Sequence, residues 1–396
     1  MKKRSRPSAS ASSAPGARSL FDLLPTDVAV YALSFLSLRE RFLLTSLSKS
    51  LRRLLTARPD PVANRLLFPH TQHVPLAENL AAVSRCVVGA EKTKLSWTAS
   101  KATFRCVAWG DGLGFVGEKT SKGGVVRCLS IGEEGKKLAW VHERMYQVAE
   151  GVKTSVNSLN CSNSRLFVGV SKPTCAVHCF DVASGAKLCQ YASHKDSVFA
   201  IAVNKTLCFS GGGQNDNMLF ASDLETQKVL WKVEHGGSVR GLDVAAENVV
   251  LSGSLCGRAR VIDVRTGTSG NSVHMGGETV HGVAFLVENP LQFLVSTGRP
   301  SCCVRRWDMR AAASSDVAEH SGGVSSIVAN AYAVASADYD GNVGLTSLSL
   351  AGRKKTVFSH SKTADGKNCD IHSLAACAPN VFLHCQGPDV VVHAFK

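Results

Sequence analysis

One interval governs what this chain can fold into. Four segments carry an aspartate followed by an apolar residue: Phe180-Asp181-Val182, Ser222-Asp223-Leu224, Ile262-Asp263-Val264 and Trp307-Asp308-Met309. Their aspartates stand 42, 40 and 45 residues apart. Histidines recur in step, at Ser193-His194, Glu234-His235 and Glu319-His320, the first two 41 apart and the last two 85 apart, which is two intervals. A sequence that repeats itself about every 42 residues builds an array of small units, each of which buries its apolar faces only against its neighbours. The 300 residues from Trp97 to the end hold about seven such intervals.

Each unit reads as four short strands. In the third, Val198–Val203 alternates as an innermost strand, Leu207–Ser210 is the second, Met218–Phe220 opens the third and Lys228–Trp231 is the outermost. The last unit ends at Val390–Phe395, a third strand with no fourth after it. A spare fourth strand lies upstream, where Lys94-Leu95-Ser96-Trp97 echoes Lys137-Leu138-Ala139-Trp140. Residues 94–97 are therefore expected to complete the seventh unit, which removes an exposed sheet edge.

This period, with its short strands, Gly-rich turns and His and Asp landmarks, resembles WD repeats, although Trp307-Asp308 is the sole Trp-Asp pair. The resemblance covers about three quarters of the chain. It implies a mainly β fold, a seven-bladed β-propeller over 94–396. His194, Ser210 and Asp216, and again His320, Ser336 and Asp340, invite a catalytic-triad reading. The resemblance implies instead a hydrogen-bonded network that stiffens each blade. His235, Ser252 and Cys256 repeat the pattern with the acid lost.

In each innermost strand the second residue of the Val-x-x-Leu-like motif is expected to face the rim of the central channel. These residues are Arg105, Asn157, Phe199, Arg240, His281, Ser325 and His372, a ring with two Arg, two His and no acid. The loops between second and third strands add Lys119, Lys122, Lys172, Arg258 and Arg299. Three readings stand: a solvated, mildly basic surface, a docking face for an acidic or phosphorylated client protein, and an RNA platform. Arginine forks suit phosphate oxygens. Nucleic acid is disfavoured, since aromatic residues for stacking are 7% of the chain.

The start of the chain differs in kind. Residues 1–66 hold 12 Lys/Arg against 4 Asp/Glu, net +8; the other 330 residues hold 33 against 27, net +6. Residues 1–19, rich in Ser, Ala and Pro, are expected to be a disordered basic tail; the run Lys2-Lys3-Arg4-Ser5-Arg6 also fits a nuclear address, and the Arg/Ser-rich, acid-poor start a transit peptide. Residues 20–66 read as three short helices. Val28, Ala32, Phe35 and Leu36 share one helical face, and Ser37-Leu38-Arg39-Glu40 is a capping box. Leu24-Pro25-x-x-Val28, Leu33-Ser34-Phe35-Leu36 and Leu47-Ser48-Lys49 together resemble an F-box, with Leu51 where that family carries a late Trp. The resemblance implies binding of a Skp-type adaptor, and through it a cullin, by Leu24, Pro25, Val28, Leu36 and Leu47. Residues 67–93 then form a connector.

Other chemistries find no residues. Gly112–Gly117 matches GxGxxG, but Asp111-Gly112 reads as a hairpin turn with no helix after it. The 14 cysteines contain no CxxC pair, so reduced thiols in a nuclear or cytoplasmic protein are expected. His178-Cys179 and His384-Cys385 point to opposite faces of their strands, so no metal site and no cofactor is expected. No apolar run approaches the ~18 residues of a membrane span, and the basic start is not followed by the apolar core of a secretory signal. The two resemblances imply a non-catalytic subunit, the substrate receptor of an SCF-type ubiquitin ligase, with a ligase-independent scaffold for a protein or ribonucleoprotein assembly as the alternative.

Overall fold

The computed structural model describes residues 91–98, 103–120, 123–134, 137–148, 154–245, 248–286, 289–329, 333–348, 355–359, 371–378, 381–386 and 389–395. The expected tail at 1–19, the segment at 20–66 that resembles an F-box and nearly all of the expected connector lie outside them. Every regular element among the described residues is a strand, β1 (Glu91–Thr98) to β28 (Asp389–Phe395). They form seven four-stranded sheets, a seven-bladed β-propeller. Six blades are consecutive antiparallel meanders: β2 (Thr103–Gly110), β3 (Leu113–Thr120), β4 (Gly123–Glu134) and β5 (Lys137–Gln147); β6 (Val156–Ser162), β7 (Arg165–Val170), β8 (Ala176–Asp181) and β9 (Lys187–Ser193); β10 (Val198–Val203), β11 (Leu207–Gly212), β12 (Met218–Asp223) and β13 (Val229–Glu234); β14 (Val239–Ala245), β15 (Val249–Ser254), β16 (Arg258–Asp263) and β17 (Ser269–His274); β18 (Val280–Leu286), β19 (Asn289–Thr297), β20 (Cys303–Asp308) and β21 (Ala313–Glu319); and β22 (Val324–Ala329), β23 (Ala333–Asp338), β24 (Asn342–Ser347) and β25 (Lys355–Ser359). The seventh has the order β1-β28-β27-β26. Its outer strand comes from the other end of the domain, with Leu95 opposite Val392 and Trp97 opposite Val390.

The core lies between blades. Phe115, Val126 and Tyr146 of the first blade pack on Leu166, Val168 and Phe180 of the second. Leu383, Val390 and Val392 of the seventh pack on Phe104, Val116 and Leu129 of the first, which closes the ring.

The recurring aspartate ends the third strand of a blade. Asp181 accepts the Ser184 N–H at 2.6 Å, Asp223 the Thr226 N–H at 2.7 Å, Asp263 the Arg265 N–H at 2.8 Å and Asp308 the Arg310 N–H at 3.0 Å. Each thereby folds the turn into the outer strand. The residue after it receives the preceding blade. Tyr146 Oη donates to the Val182 carbonyl at 3.0 Å, Tyr191 Oη to Leu224 at 3.1 Å and Trp231 Nε1 to Val264 at 2.8 Å. In the fourth blade Asn271 reaches only the Met309 sulfur, at 3.7 Å. The 42-residue period thus records one turn and one bond between blades per repeat.

At Asp111 and Gly112, φ is 52° and 76°, and Gly110 faces Leu113 across a two-residue turn. The GxGxxG segment is a β-hairpin whose turn needs positive φ at both central residues, which an Asp-Gly pair supplies.

Candidate docking face at the channel mouth

All seven inner strands carry a β-bulge at the same place. The register slips between Phe104 and Cys106, Val156 and Ser158, Val198 and Ala200, Val239 and Gly241, Val280 and Gly282, Val324 and Ser326, and Ile371 and Ser373. The residue skipped each time is Arg105, Asn157, Phe199, Arg240, His281, Ser325 or His372. A bulged residue opposes no partner of its own and its side chain is re-aimed. Seven bulges aim seven side chains into one cavity of 160 Å³, which these residues line together with Tyr339.

The ring has two unlike halves. On one, the Arg240 guanidinium lies 3.7 Å from the centre of the Phe199 ring, a stacked cation–π pair. Arg240 is half-buried, and its Nε has no hydrogen-bond partner among the described residues. Burial lowers its pKa and the Arg105 charge adds to that, against the pull of Tyr339 and Asp196. A guanidinium stays charged throughout. Arg105 is exposed beside it. The nearby acid, Asp196, is already engaged: Oδ1 accepts the Ser197 N–H at 2.7 Å, and Oδ2 accepts the Asn215 N–H and Nδ2, both at 3.2 Å.

On the other half, Tyr339 stands between His281 and His372, edge-on to both at 5.4 and 5.9 Å. His281 Nδ1 meets Tyr339 Oη at 3.2 Å and Nε2 meets Thr279 Oγ1 at 3.0 Å. Burial, with Arg240 adding, drives the His281 pKa down to about 4. His281 is therefore neutral at pH 7. His281 thus contributes hydrogen bonding, not charge, to the rim. Ser325 lines the cavity, but its hydroxyl is turned onto the carbonyls of Ala337, at 3.1 Å, and Ile371.

Among the second-to-third-strand loops, Lys172, Arg258 and Arg299 are exposed. Lys119 stands near the end of β3, and Lys122 lies outside the described residues. Tyr339 escaped the sequence reading because it belongs to the β23–β24 turn, not to an inner strand. The first residue after a second strand was the position to inspect.

The His-Ser pairs are internal. His194 Nε2 meets Ser210 Oγ at 2.8 Å while Nδ1 meets Asp216, and the imidazole stacks on Phe220 at 4.4 Å. His235 Nε2 meets Ser252 Oγ at 2.7 Å, and Cys256 Sγ donates to the His235 carbonyl at 2.9 Å. His320 Nε2 meets Ser336 Oγ at 2.7 Å, but its Nδ1 meets Asp338, at 3.1 Å, and not Asp340. The reason is loop length. Five residues separate β11 from β12, so Asp216 reaches back from the loop, whereas three separate β23 from β24, and the strand's own last residue already lies under the imidazole. Ser210 and Ser336 are buried, so neither hydroxyl can meet a substrate. In the fifth blade, which carries Trp307-Asp308, the Trp307 indole N–H has no partner among the described residues.

His178 and Cys179 are buried on their strand, with Cys179 in the core between the second and third blades. Among the described residues no group of three or more His, Cys, Asp or Glu could hold a metal ion, and no helix is long and apolar enough to cross a membrane.

No family model matches this chain, and no curated protein does. Among solved structures, a chain in the crystal structure of the mitotic checkpoint complex superposes with a TM-score of 0.61, over 78% of this chain and 92% of that one. Identity is 16%. What the two share is the fold.

Proposed function

We propose that this protein is a non-catalytic client receptor: its propeller mouth docks an acidic or phosphorylated segment of another protein, and its 20–66 segment binds a Skp-type adaptor of a cullin ubiquitin ligase. The observation that carries the docking half is Arg240, a half-buried cation stacked on Phe199 with an unpartnered Nε, at a mouth whose ring holds a second arginine and no carboxylate. An unmade hydrogen bond on a buried charged donor is costly, and an incoming carboxylate or phosphate oxygen makes it. At 160 Å³ the cavity is smaller than the ~300–1,000 Å³ of small-molecule sites and suits a single anionic head group. The ligase half rests on the Leu24-Pro25-x-x-Val28 and Leu33–Leu36 likeness. In this reading no chemistry occurs on the chain. Holding client and adaptor on one scaffold raises the client's effective concentration at the transfer site.

One affinity purification separates the halves, with wild type, Leu24→Ala/Pro25→Ala and Arg105→Glu/Arg240→Glu as baits and the melting temperature of each recorded. Wild type should recover adaptor, cullin and client. The first double mutant should lose adaptor and cullin but keep the client. The second should keep the adaptor and lose the client, at least about tenfold for the two arginines together. Adaptor absent from the wild-type sample means the protein is a ligase-independent scaffold. Client recovery unchanged by the arginine pair removes the rim from consideration.

A further inference from the structure

The channel does not end at the rim. Below the 160 Å³ cavity lies a second of 190 Å³, and beyond that a third of 490 Å³ at the opposite end. Aliphatic side chains such as Leu159, Leu242 and Leu374 line both of the lower two and form a waist between the ends. The third chamber is large because the inner strands carry small residues there: Ala108, Ala202, Ala284 and Ala375 stand level with Asp243 of β14 (Val239–Ala245).

Among the described residues Asp243 is the one carboxylate in this lining, which holds no Lys, Arg or His. Its Oδ1 accepts the Val244 N–H at 2.8 Å and its Oδ2 the Phe285 N–H of the next blade at 2.7 Å. A carboxylate has about four lone-pair sites, so two remain. Asp243 is half-buried, open to the chamber, and among the described residues no cation lines the chamber beside it. Burial pushes the carboxyl up to about 6, with the two backbone donors pulling the other way. A second acid, Asp111, lies exposed in the β2–β3 turn at the same end, close enough to act electrostatically on Cys161 in the chamber wall. Among the described residues Asp243 is the one charge in the chamber lining, while Arg105 and Arg240 line the opposite mouth.

We propose that this far chamber is a binding site for a cationic group on an alkyl stem, a primary ammonium or guanidinium, whose charge is held by Asp243 and whose stem lies against the apolar wall. The volume falls in the range of small-ligand sites, and alkyl stems of cationic side chains pack readily on apolar surface. Such a group would arrive through this end, since Arg105 and Arg240 repel it at the other. The same chemistry is offered by a free amine and by a lysine or arginine side chain of a partner. This site is separate from the rim and does not depend on the function proposed for it.

Titration calorimetry on the full chain tests it, with agmatine as the free cation and an end-blocked tripeptide with a central arginine as the side-chain source. Agmatine should bind wild type at least tenfold more tightly at pH 7.5 than at pH 5, because protonation of Asp243 removes the charge. Cys161, the other titratable group in the lining, is raised to about 12 and stays a neutral thiol. Lys205, in the turn after Val203, and Arg165, the first residue of the strand Arg165–Val170, do not line the chamber. Asp243→Asn keeps an acceptor for one of the two backbone donors and faces the other with its amide nitrogen, so it should lose binding at least tenfold with a melting temperature lowered by a few degrees. Tighter binding of the tripeptide than of agmatine assigns the site to a partner side chain, and the reverse to a free amine. Should Asp243→Asn fail to fold, carboxyl NMR on wild type decides: bound agmatine should make Asp243 titrate at lower pH. Equal affinity at the two pH values, no heat from either probe, or an Asp243 titration unmoved by agmatine overturns the proposal.

Discussion

Deleting residues 90–99 while leaving the rest of the chain in place should cost the propeller its cooperative unfolding transition, or lower its melting temperature by on the order of 10 °C. The deleted strand β1 is not a decoration on the seventh blade. It pairs with β28 from Thr93–Ala394 to Thr98–Asp389, so its loss turns an interior strand into an edge with a row of unmade backbone bonds. At about 1 kcal/mol net per hydrogen bond, the ladder alone accounts for several kcal/mol. The damage spreads because the seventh blade is also the wall of the first: Leu383, Val390 and Val392 share a buried cluster with Phe104, Val116 and Leu129. Differential scanning calorimetry of the deletion beside the full chain reads the effect. A synthetic 90–99 peptide added in trans should restore part of the lost stability. A deletion that melts with the full-length profile would mean that the ring is held closed by contacts between the first and seventh blades alone.

What was legible in the sequence is what repeats. The inner-strand motif sets a phase, and counting one residue into it reaches Arg105, Asn157, Phe199, Arg240, His281, Ser325 and His372, all of which the structure brings to one cavity. The phase is reliable because the bulge recurs with it in every blade. The outer strand of the seventh blade was legible because Lys94–Trp97 echoes Lys137–Trp140. What was not legible is whatever depends on the distance between repeats. Tyr339 enters the rim from a turn, and its hydroxyl together with Thr279 decides the hydrogen bonding of His281. The pairing of Arg240 with Phe199 joins adjacent blades across 41 residues of chain. Asp243 reads in sequence as one more residue of an inner strand. Only the closed ring shows that it stands level with alanines and, among the described residues, beside no cation. The charge of a rim residue is a property of its surroundings, and a period reports positions without surroundings.

Asp338 and Asp340 are two residues apart in one turn, and their replacement by alanine should differ by several kcal/mol. Asp338 is fully buried and accepts four hydrogen bonds: from His320 Nδ1 at 3.1 Å, the Asp340 N–H at 3.0 Å, the Asn342 N–H at 2.7 Å and Asn342 Nδ2 at 2.9 Å. It therefore holds the imidazole, the turn and the start of β24 (Asn342–Ser347) at once. Asp338→Ala strands the buried His320 ring and leaves the two backbone N–H groups unmade, a loss of about 3–5 kcal/mol for breaking a buried charged network. Asp340 only supplies its own N–H to Asp338, which alanine also does, so Asp340→Ala should stay within about 0.5 kcal/mol. The acid dependence gives an independent check. Desolvation pushes the Asp338 carboxyl up, but His320 and the Asn342 side chain and backbone outweigh it, and the group ionises below the usual carboxylate range. A carboxyl depressed in the folded state contributes stability above its unfolded value, about 3.9, and loses it as pH falls through the folded value. The gap between wild type and Asp338→Ala in denaturant titrations should therefore be widest at neutral pH and close as the pH drops below about 4, while Asp340→Ala should track wild type throughout. If Asp340→Ala is the more damaging of the two, the blade network runs through the turn and not through the end of β23 (Ala333–Asp338).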